Sequence, residues 1–580
     1  MLQFLKYVLA TIVALILFVF LGIVIIAGVA LSTSKNKSVN IESNSILRIT
    51  FNKEVADQGE TSFDPNSLSI TKTLSLKEIL ENIHNAQEDA KIKALFLDVS
   101  NFPGGFASLE EIRNALLEFK KSHKPIYAYG ENFTEKAYYL NSVADKLYLN
   151  PEGLLEFNGL SSEYTFYKGA LDKLGIEAQI FRVGKYKSFV EPYTLDKMSE
   201  ANRNQITSYL GSIYHGYIEK IAHDRNLNID SLFNIADNQK VSQASEAKTY
   251  HLVNDLKYRD EVLEELKTLS HVKTINDIHF ISLLDYDRGN EADDHGSGKR
   301  IQVIYASGDI NSGEGTNKSI GSDQMSRLIR LARLDKDIKA VVLRVNSPGG
   351  SALASDIIWR EVSLTQKVKP VIVSMGDVAA SGGYYISCAA GKIFAQPNTI
   401  TGSIGIFGII PNTQKFFNEK LGITFDRVNT GKYSDIITVT RPLREDEKAI
   451  IQNQVNHGYQ SFLERVSRGR NKTIAQIDSI AQGRVWTGEQ ALKIGLVDKL
   501  GGLEDAIDEA ALEAHLKTYS LSYEPQEKGL FQNLLSDGLD KLKNDWIESE
   551  TGGLSQMNIL KKIKTWSGIQ ARMMEGNLNP

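Results

Sequence analysis

The chain has 580 residues, of which 42% are hydrophobic and 24% charged, and its formal net charge is −5. This length is more than one hydrophobic core usually serves, so we expect two or more domains. Lys and Arg are spread along the chain, which argues against nucleic-acid binding, and the single cysteine, Cys388, excludes an internal disulfide. The histidines lack the spacing of a zinc site, so we expect no metal and no cofactor.

The first predicted element is a membrane anchor. Residues Tyr7 to Leu31 are 25 consecutive residues without a charge. As a helix they would be about 37 Å long, whereas the hydrocarbon core of a bilayer is about 30 Å thick. We favour an uncleaved transmembrane helix over a cleaved signal peptide, although Ala27 to Ala30 resembles a cleavage site. Residues 1–44 are assigned to this anchor, whose orientation the flanking lysines do not fix.

The chain then contains an internal repeat. Residues 91–160 and 337–406 are two versions of one sequence. Both copies contain, in the same order, a β-branched run, a Pro-Gly-Gly turn, a Lys-Pro pair and a Tyr-Tyr pair, and a Leu-Gly-Ile segment follows each copy, at 174–176 and 421–423. We assign the domains as follows: first repeat 45–284, polar linker 285–300, second repeat 301–519 and C-terminal extension 520–580.

Within each repeat, short β-branched runs alternate with helical stretches. Ala340–Val345 and Val371–Ser374 have the pattern of buried strands, and Asp356–Thr365 between them has the pattern of a helix. This β-α-β rhythm predicts an α/β fold. In the extension, residues 530–574 combine apolar residues with lysines and two tryptophans. They fit an amphipathic helix on a membrane surface, or a helix packed on the body or on a partner subunit.

The two copies differ reciprocally at two polar positions. Ser381 of the second copy stands where the first has Glu135, and Lys187 of the first copy stands where the second has Ser434. The nearby Lys185 has a lysine counterpart in the second copy, so Lys187 is the unmatched one. A duplicated scaffold needs no such differences in order to fold. We therefore expect the chemistry at Ser381 and Lys187.

An unmatched serine and lysine predict a Ser/Lys dyad. A serine hydroxyl is a weak nucleophile that needs an adjacent base, and a lysine can be that base if burial lowers its pKa. The glycines that follow Ser381 allow a sharp turn into a helix and close approach of a substrate. The N–H of Gly382 and one from Gly349 or Gly350 could form an oxyanion hole.

Three motifs together resemble the signal peptide peptidase A (SppA) family in its long, two-repeat bacterial form. They are residues 186–192, residues 344–350, and residues 379–385 followed by Thr-Gly-Ser-Ile-Gly at 401–405. The resemblance covers residues from about 45 to 515 and implies tandem Clp-protease/crotonase-like units. It also implies that Lys187 serves Ser381 as general base. Gly350 and Gly382 are then our choice for the oxyanion hole, and Ser403 resembles the hydroxyl that orients the lysine.

The resemblance further implies a function and a location. The chain would be a membrane-anchored serine endopeptidase that degrades cleaved signal peptides in the bacterial cytoplasmic membrane. Its partners would be peptide substrates, the membrane and further copies of itself in a homotetramer. The single anchor would leave the catalytic body outside the cytoplasmic membrane, facing the periplasm or the exterior.

Two other functions stay open on the residues alone. A crotonase-like acyl-CoA hydrolase or hydratase would use the two glycine turns equally well, although crotonase chemistry typically relies on carboxylates. A catalytically inactive membrane scaffold is the other alternative.

Overall fold

The architecture comes from a computed structural model that describes most of the chain. The described residues are 3–18 except 5, 12 and 16, and then 41–64, 69–289, 298–316, 319–526, 568–573 and 577–579. Those at 3–18 are helical (α1), and the rest of the predicted membrane span lies outside the described residues, as does most of the C-terminal extension. No helix within the described ranges is both long and apolar enough to cross a bilayer.

The first half of the chain alternates strands with helices. Its elements are β1 Ser45–Ile49, β2 Glu60–Asp64, β3 Ser69–Thr73, α2 Leu76–Glu88, β4 Ile92–Leu97, α3 Phe106–Lys120, β5 Ile126–Gly130, α4 Glu135–Asn141, β6 Lys146–Leu149, β7 Ser161–Glu163, α5 Lys168–Leu174, β8 Glu177–Arg182, α6 Glu191–Thr194, α7 Glu200–Arg225, α8 Ile229–Asp237, α9 Ala244–Thr249, β9 Asp255–Leu256, α10 Arg259–Leu269, β10 Phe280–Ser282 and α11 Leu283–Gly289. Two 3-10 helices, Ser188–Val190 and Ile275–Asp277, complete it.

The second half has the same alternation. Its elements are β11 Arg300–Ser307, β12 Asp309–Asn311, β13 Gly315–Thr316, β14 Ser319–Gly321, α12 Ser322–Leu334, β15 Ile338–Ser347, β16 Gly349–Ser351, α13 Ala352–Gln366, β17 Val371–Ala380, α14 Gly382–Ser387, β18 Lys392–Ala395, β19 Ile400–Gly402, β20 Phe407–Asn412, α15 Glu445–Gly469, α16 Ile474–Ile480, β21 Val485–Thr487, α17 Gly488–Lys493, β22 Lys499–Leu500, α18 Leu503–Glu513, β23 Ser520–Glu524, β24 Gly568–Arg572 and β25 Asn577–Asn579. A π-helical turn covers Phe416–Leu421.

The two halves contain equivalent parallel sheets. The first has the strand order β10-β1-β4-β5-β6-β9, and the second contains the path β23-β11-β15-β17-β18-β22. Every pairing along both paths is parallel. Val341, Val342 and Leu343 of β15 are almost fully buried, as expected of a strand with both faces covered. The predicted α/β fold and the internal repeat are confirmed, while the domain boundaries stay predictions.

A third sheet joins the two halves. Its order is β13-β14-β12-β16-β24-β20-β8, and β8 is the strand that comes from the first half. β8 pairs antiparallel with β20, from Arg182 opposite Phe407 to Glu177 opposite Asn412. Because Lys187 closely follows β8, this pairing carries the lysine of the first half into the second.

A buried ion cluster also connects the halves. Arg344 on β15 is fully buried, and its Nε lies 2.8 Å from Asp57 Oδ1 while its Nη2 lies 2.7 Å from Glu111 Oε1. Both carboxylates belong to the first half. Burial raises the pKa of the Glu111 carboxyl, and the Arg344 charge opposes that rise. Buried charges are tolerated when they are paired and hydrogen-bonded, so the cluster depends on both halves being docked.

One part of the C-terminal extension corrects our prediction. The predicted helix over residues 530–574 falls largely outside the described residues, but Gly568–Arg572 is a strand, β24, and not a helix. It pairs antiparallel with β16 on one side and β20 on the other. The backbone groups of those two strands provide hydrogen-bond partners that only an extended segment can reach.

Candidate active site

Ser381 lies in a tight turn between β17 and α14. Its φ of 54° and ψ of −111° fall outside the regions that residues with a side chain usually adopt. Its N–H donates to the Gly402 carbonyl, and its own carbonyl accepts the N–H of Tyr385, both at 2.8 Å. These bonds hold the strained backbone in place, as is common where a side chain must be presented for chemistry. The predicted sharp turn into a helix is confirmed.

The two predicted glycine turns meet beside Ser381. A Cβ on Gly382 would lie 2.7 Å from Ser355 Oγ and 3.0 Å from the Gly349 Cα, so a larger residue does not fit. Gly349 has a φ of +107°, which favours glycine. Gly350 lies next to it in β16, where it is paired with Ala571 of β24. The structure thus brings Gly382 close to the Gly349-Gly350 turn.

Lys187 reaches Ser381 from the other half of the chain. It lies in the turn before Ser188–Val190, and it is 1% exposed. Its Nζ lies 2.7 Å from Ser381 Oγ, although 194 residues separate the two in sequence. Burial holds the pKa of the Lys187 ammonium well below its usual range. A buried amine at this distance can accept a hydroxyl proton.

Ser403 completes the surroundings of the amine. Its carbonyl oxygen and its Oγ lie 3.0 Å and 3.1 Å from Lys187 Nζ. Its own N–H donates to the Arg484 carbonyl at 2.7 Å, which fixes the backbone after β19. The Nζ therefore has three oxygen neighbours, one of which is Ser381 Oγ. The structure brings together the serine, the lysine and the hydroxyl that the sequence singled out.

Gln205 positions residues 186–188, which we call the lysine turn, and no sequence pattern predicted this role. Its Nε2 donates to the Tyr186 carbonyl and to Ser188 Oγ, each at 3.1 Å. It is therefore hydrogen-bonded to the residues on both sides of Lys187. Its Oε1 accepts the N–H of Val485 from the second half at 3.2 Å. A glutamine on a long helix has no spacing that would distinguish it from an ordinary polar residue.

A small, mainly apolar cavity adjoins Lys187 and Ser403. It has a volume of about 120 Å³, and besides Lys187 and Ser403 its lining includes the aromatic and aliphatic residues Tyr164, Tyr186, Phe189, Ile206, Tyr209, Val378, Ile400, Val485 and Met573. Such a lining suits a small apolar side chain.

In the part of the chain that the structure describes, no group of three or more His, Cys, Asp and Glu residues could hold a metal ion.

The equivalent position of the first half has a different arrangement. Glu135 is buried where the second half has its serine, and its Oε1 accepts the N–H groups of Asn158 and Gly159 at 2.7 and 2.6 Å. Burial raises the pKa of this carboxyl. The neighbouring Lys136 donates to the Gly104 carbonyl at 3.0 Å. Ser434, the counterpart of Lys187, is exposed. Here the first half stabilises loops, whereas the second half places Ser381 beside Lys187.

Family models match both halves of the chain. The model described as peptidase family S49 matches residues 118–273 and again residues 363–517. The Clp protease model matches residues 294–401, the segment that includes the second glycine turn and Ser381. The two S49 matches agree with the duplication seen in the sheets.

Three relatives are similar along most of their length. Protease 4 of Salmonella typhi is 41% identical over 463 residues, which is 78% of this chain and 74% of that protein. Protease 4 of Haemophilus influenzae is 36% identical over 85% of this chain and 83% of its own. The chloroplastic serine protease SPPA of Arabidopsis thaliana is 33% identical over 82% of this chain and 70% of its own.

Proposed function

Because the chain belongs to peptidase family S49, we propose that Ser381 is its nucleophile and Lys187 its general base. The chain is a serine protease of that family. The observation that carries the proposal is the distance of 2.7 Å between Lys187 Nζ and Ser381 Oγ in a setting where the lysine is 1% exposed. A neutral amine at hydrogen-bond distance is what a serine needs for activation.

The proposed reaction passes through an acyl-enzyme. Ser381 Oγ attacks the carbonyl carbon of the scissile peptide bond while its proton passes to Lys187 Nζ. The tetrahedral intermediate collapses by breaking the C–N bond, and Lys187 returns the proton to the leaving amine. A water molecule, deprotonated by the same amine, then hydrolyses the ester and regenerates the serine. Ser403 keeps the amine directed at Ser381 throughout.

The N–H groups of Gly350 and Gly382 are the proposed oxyanion hole. Backbone donors fixed in this way stabilise the negative charge that develops on the carbonyl oxygen, and the loss of one such donor typically costs about 10²–10³ in kcat. The proposal is supported by the close approach of Gly382 to the turn that contains Gly350.

The proposed substrates are signal peptides that remain in the membrane after cleavage. The apolar lining of the cavity beside Lys187 supports this, because signal peptides offer small and apolar side chains. The uncharged run from Tyr7 to Leu31 supports a single membrane anchor in the bacterial cytoplasmic membrane, with the catalytic body outside the cytoplasm.

We propose a homotetramer as the assembly. The segment after the π-helical turn exposes several apolar side chains, among them Val428 at 98% and Ile437 at 79%. We expect these side chains to be covered by a neighbouring copy in the assembly. Light scattering of the detergent-solubilised protein would show four copies if this proposal holds.

The dyad is tested by substitution in the full-length protein. Ser381→Ala and Lys187→Ala should each lower kcat on a fluorogenic peptide by about 10³-fold or more, because both the nucleophile and its base are needed. Lys185→Ala is the matched control, since Lys185 is exposed and two residues away. Turnover by Ser381→Ala or Lys187→Ala within tenfold of the wild type would contradict the assignment.

Covalent labelling distinguishes the remaining alternatives. A fluorophosphonate should label Ser381 in the wild type and fail to label the Ser381→Ala variant. A catalytically inactive scaffold predicts no labelling. An acyl-CoA hydrolase or hydratase predicts turnover of acyl-CoA thioesters, which membership of a peptidase family argues against.

A further inference from the structure

A second, larger cavity opens between the two halves of the chain. Its volume is about 890 Å³. Its lining comes from residues 53–61 of the first half, from residues 314–328 of the second half, and from the carboxyl ends of β11 and β23. In open α/β folds, the crevice at the carboxyl ends of parallel strands is where ligands bind. We call it the acidic cavity, for the reason given below.

Two hydroxyl-bearing residues of β11 line the acidic cavity. Tyr305 and Ser307 are two residues apart on this strand, so their side chains lie on the same face. Ser307 Oγ is buried and has no hydrogen-bond partner among the described residues, and none is seen there for the hydroxyl of Tyr305, which is 6% exposed. Buried polar groups are normally hydrogen-bonded. Both hydroxyls are therefore available to a bound group.

The lining also carries an excess of negative charge. It contains four glutamates and one lysine, Lys53. Glu314 forms an ion pair with Arg327. Glu54 and Glu60 are exposed, and neither forms an ion pair in the part of the chain that the structure describes. A concave surface lined mainly by one sign of charge attracts ligands of the opposite sign, so this cavity favours a cation.

The hydroxyl groups suit a cation that donates hydrogen bonds. Burial raises the pKa of the Tyr305 phenol, and the nearby Asp57 carboxylate raises it further, so the phenol stays neutral. Its oxygen and Ser307 Oγ can each accept a hydrogen bond. Lysine ammonium and arginine guanidinium groups are donors only, and hydrogen bonds from them are stronger than neutral ones. Such a group matches both the hydroxyls and the glutamates.

The acidic cavity lies close to the proposed oxyanion hole. Ile320, which lines the cavity, is opposite Ile310 of β12, and Ile310 is opposite Gly350 of β16. Adjacent strands are about 4.8 Å apart, so these two spacings place Ile320 about 10 Å from Gly350. An extended peptide rises about 3.3 Å per residue. A residue of a bound peptide therefore reaches the cavity when it lies about three to five residues from the scissile bond.

From these observations we propose that the acidic cavity binds a lysine or arginine side chain of a peptide substrate, a few residues from the bond that is cleaved. The inference rests on the proposed function, because it assigns the cavity to the same reaction. It adds a charge preference to the proposed substrates, since signal peptides combine a positively charged segment with an apolar one. The cavity beside Lys187 and the acidic cavity then contact different parts of one peptide.

Binding is measured in the full-length Ser381→Ala protein, which lacks the proposed nucleophile. The probes are three fluorescein-labelled peptides, Lys-Lys-Ala-Leu-Ala-Leu-Ala, Ala-Leu-Ala-Leu-Ala-Lys-Lys and the neutral Gln-Gln-Ala-Leu-Ala-Leu-Ala. By anisotropy at low salt, we expect one lysine peptide to bind at least fivefold more tightly than the neutral peptide. At about 1 M salt the difference should fall below twofold, because charges are then screened. Equal affinities of all three peptides at low salt would overturn the proposal.

The glutamates are tested in the same background. Glu54→Gln/Glu60→Gln removes two negative charges from the lining, so it should lower the preference for the lysine peptide at least threefold. Glu152→Gln/Glu219→Gln is the matched control, since both of these glutamates are exposed and lie outside the lining. It should leave the preference unchanged. Equal effects of the two double variants would show that the net charge of the protein, and not this cavity, is responsible.

The hydroxyls are tested by Tyr305→Phe/Ser307→Ala, which removes both oxygens with little change of shape. This variant should also lower the preference for the lysine peptide at least threefold. Its melting temperature should not fall, because hydroxyls without partners contribute no hydrogen bond to the folded state. An unchanged preference would show that the hydroxyls do not contact the ligand. If the variant fails to fold, as judged by circular dichroism, the glutamate variant decides the result alone.

Free spermidine distinguishes a peptide site from a site for small cations. It carries ammonium groups but lacks the apolar part of the peptide. We expect it to displace the labelled lysine peptide only at concentrations at least tenfold above those of the unlabelled peptide. Displacement at equal concentrations would show that the cavity binds polyamines, and would overturn its assignment to the substrate.

Activity is measured in proteins that retain Ser381. Glu54→Gln/Glu60→Gln should raise KM for the favoured lysine peptide at least threefold with little effect on kcat, because the cavity lies away from the reacting atoms. An unchanged ratio of kcat/KM between the lysine and neutral peptides would overturn the assignment of the cavity to the substrate. Absence of hydrolysis of every peptide by the wild type would contradict the proposed function, while the anisotropy titrations still decide whether the cavity binds cationic peptides.

Discussion

Lys187 is an ionisable side chain that the fold keeps away from water. Desolvation is the cause of its lowered pKa, because removal from water disfavours the ammonium form. In the proposed mechanism the same burial lets the amine accept the Ser381 proton, and it also lowers the stability of the folded chain. A lower pKa of Lys187 therefore favours its proposed role as a base but lowers the stability of the folded chain, and both effects depend on pH.

The pH dependence of the rate should report Lys187. The base must be neutral, so kcat/KM should rise with pH on a limb that lies well below the usual lysine range. A pH-rate profile on a peptide without ionisable groups measures it. If the rising limb coincides with the titration of an ordinary exposed lysine, or is absent, Lys187 does not act as the base.

The pH dependence of stability has a defined sign. Between the lowered folded-state pKa of Lys187 and its ordinary unfolded-state pKa, the folded chain binds fewer protons than the unfolded chain. The free energy of unfolding therefore rises with pH across this window. Below the window the amine is protonated in both states, and the folded chain bears the whole free-energy penalty of burying the ammonium. Lys187→Met removes this cost, so it should melt at a higher temperature than the wild type at pH 7, with a difference that shrinks towards pH 10.

Exposed Lys185 is the control for this comparison. Lys185→Met should change the melting temperature little at either pH, because the Lys185 side chain is exposed. A Lys187→Met protein that is less stable than the wild type at pH 7 would show that the amine is stabilised rather than penalised by its surroundings.

At the scale of elements, the lysine turn is fixed by α7 of the first half and β21 of the second. Gln205 on α7 donates a hydrogen bond to the Tyr186 carbonyl in the lysine turn and accepts one from the N–H of Val485 on β21. Gln205→Leu should lower kcat by about 10²-fold with little change in KM, because a displacement of about 1 Å at a reacting group has effects of that size. It should also shift the pH-rate limb. Gln460→Leu, an exposed glutamine on α15, should do neither.

Helix α3 provides a second test at this scale. Its N-cap is Gly105, which has no side chain, and Asp377 of the second half accepts the N–H groups of Ala107 and Ser108 at 2.9 and 3.0 Å instead. Loss of such a cap costs about 1–2 kcal/mol, so Asp377→Ala should lower the melting temperature. Asp377→Asn keeps an acceptor and should lower it less. Equal effects of the two variants would show that the cap is not the cause.

At the scale of the whole molecule, the candidate site exists only when both halves are docked. Lys187 comes from one half and Ser381 from the other, and both the β8–β20 pairing and the Arg344 cluster hold the halves together. In the proposed mechanism the first half therefore contributes the base and a scaffold, and the second half contributes the nucleophile.

Separating the halves should abolish activity. Residues 41–297 and 298–580, expressed as two polypeptides, should each hydrolyse no peptide, because each lacks one member of the dyad. Mixing them should restore part of the activity, with a rate that depends on protein concentration. The test is hydrolysis of a fluorogenic peptide before and after mixing. Hydrolysis by residues 298–580 alone would contradict the need for Lys187.

The sequence by itself determined the α/β class, the duplication and the choice of Ser381 and Lys187. Strand and helix periodicity is local, and the duplication is a comparison of the chain with itself, so neither needs a tertiary structure. The reciprocal exchange of Ser381 for Glu135 and of Lys187 for Ser434 then pointed to the two residues, because a scaffold alone would not require it.

The tertiary structure decided how these residues meet. Three sets of contacts join distant parts of the chain: β8 pairs with β20, Gln205 is hydrogen-bonded to the lysine turn, and β24 pairs with β16 beside the glycine turn. Local periodicity does not encode such contacts, since an extended segment can pair with any open edge of suitable register. For this reason the predicted helix at residues 568–572 was wrong: the edges of β16 and β20 determine its conformation.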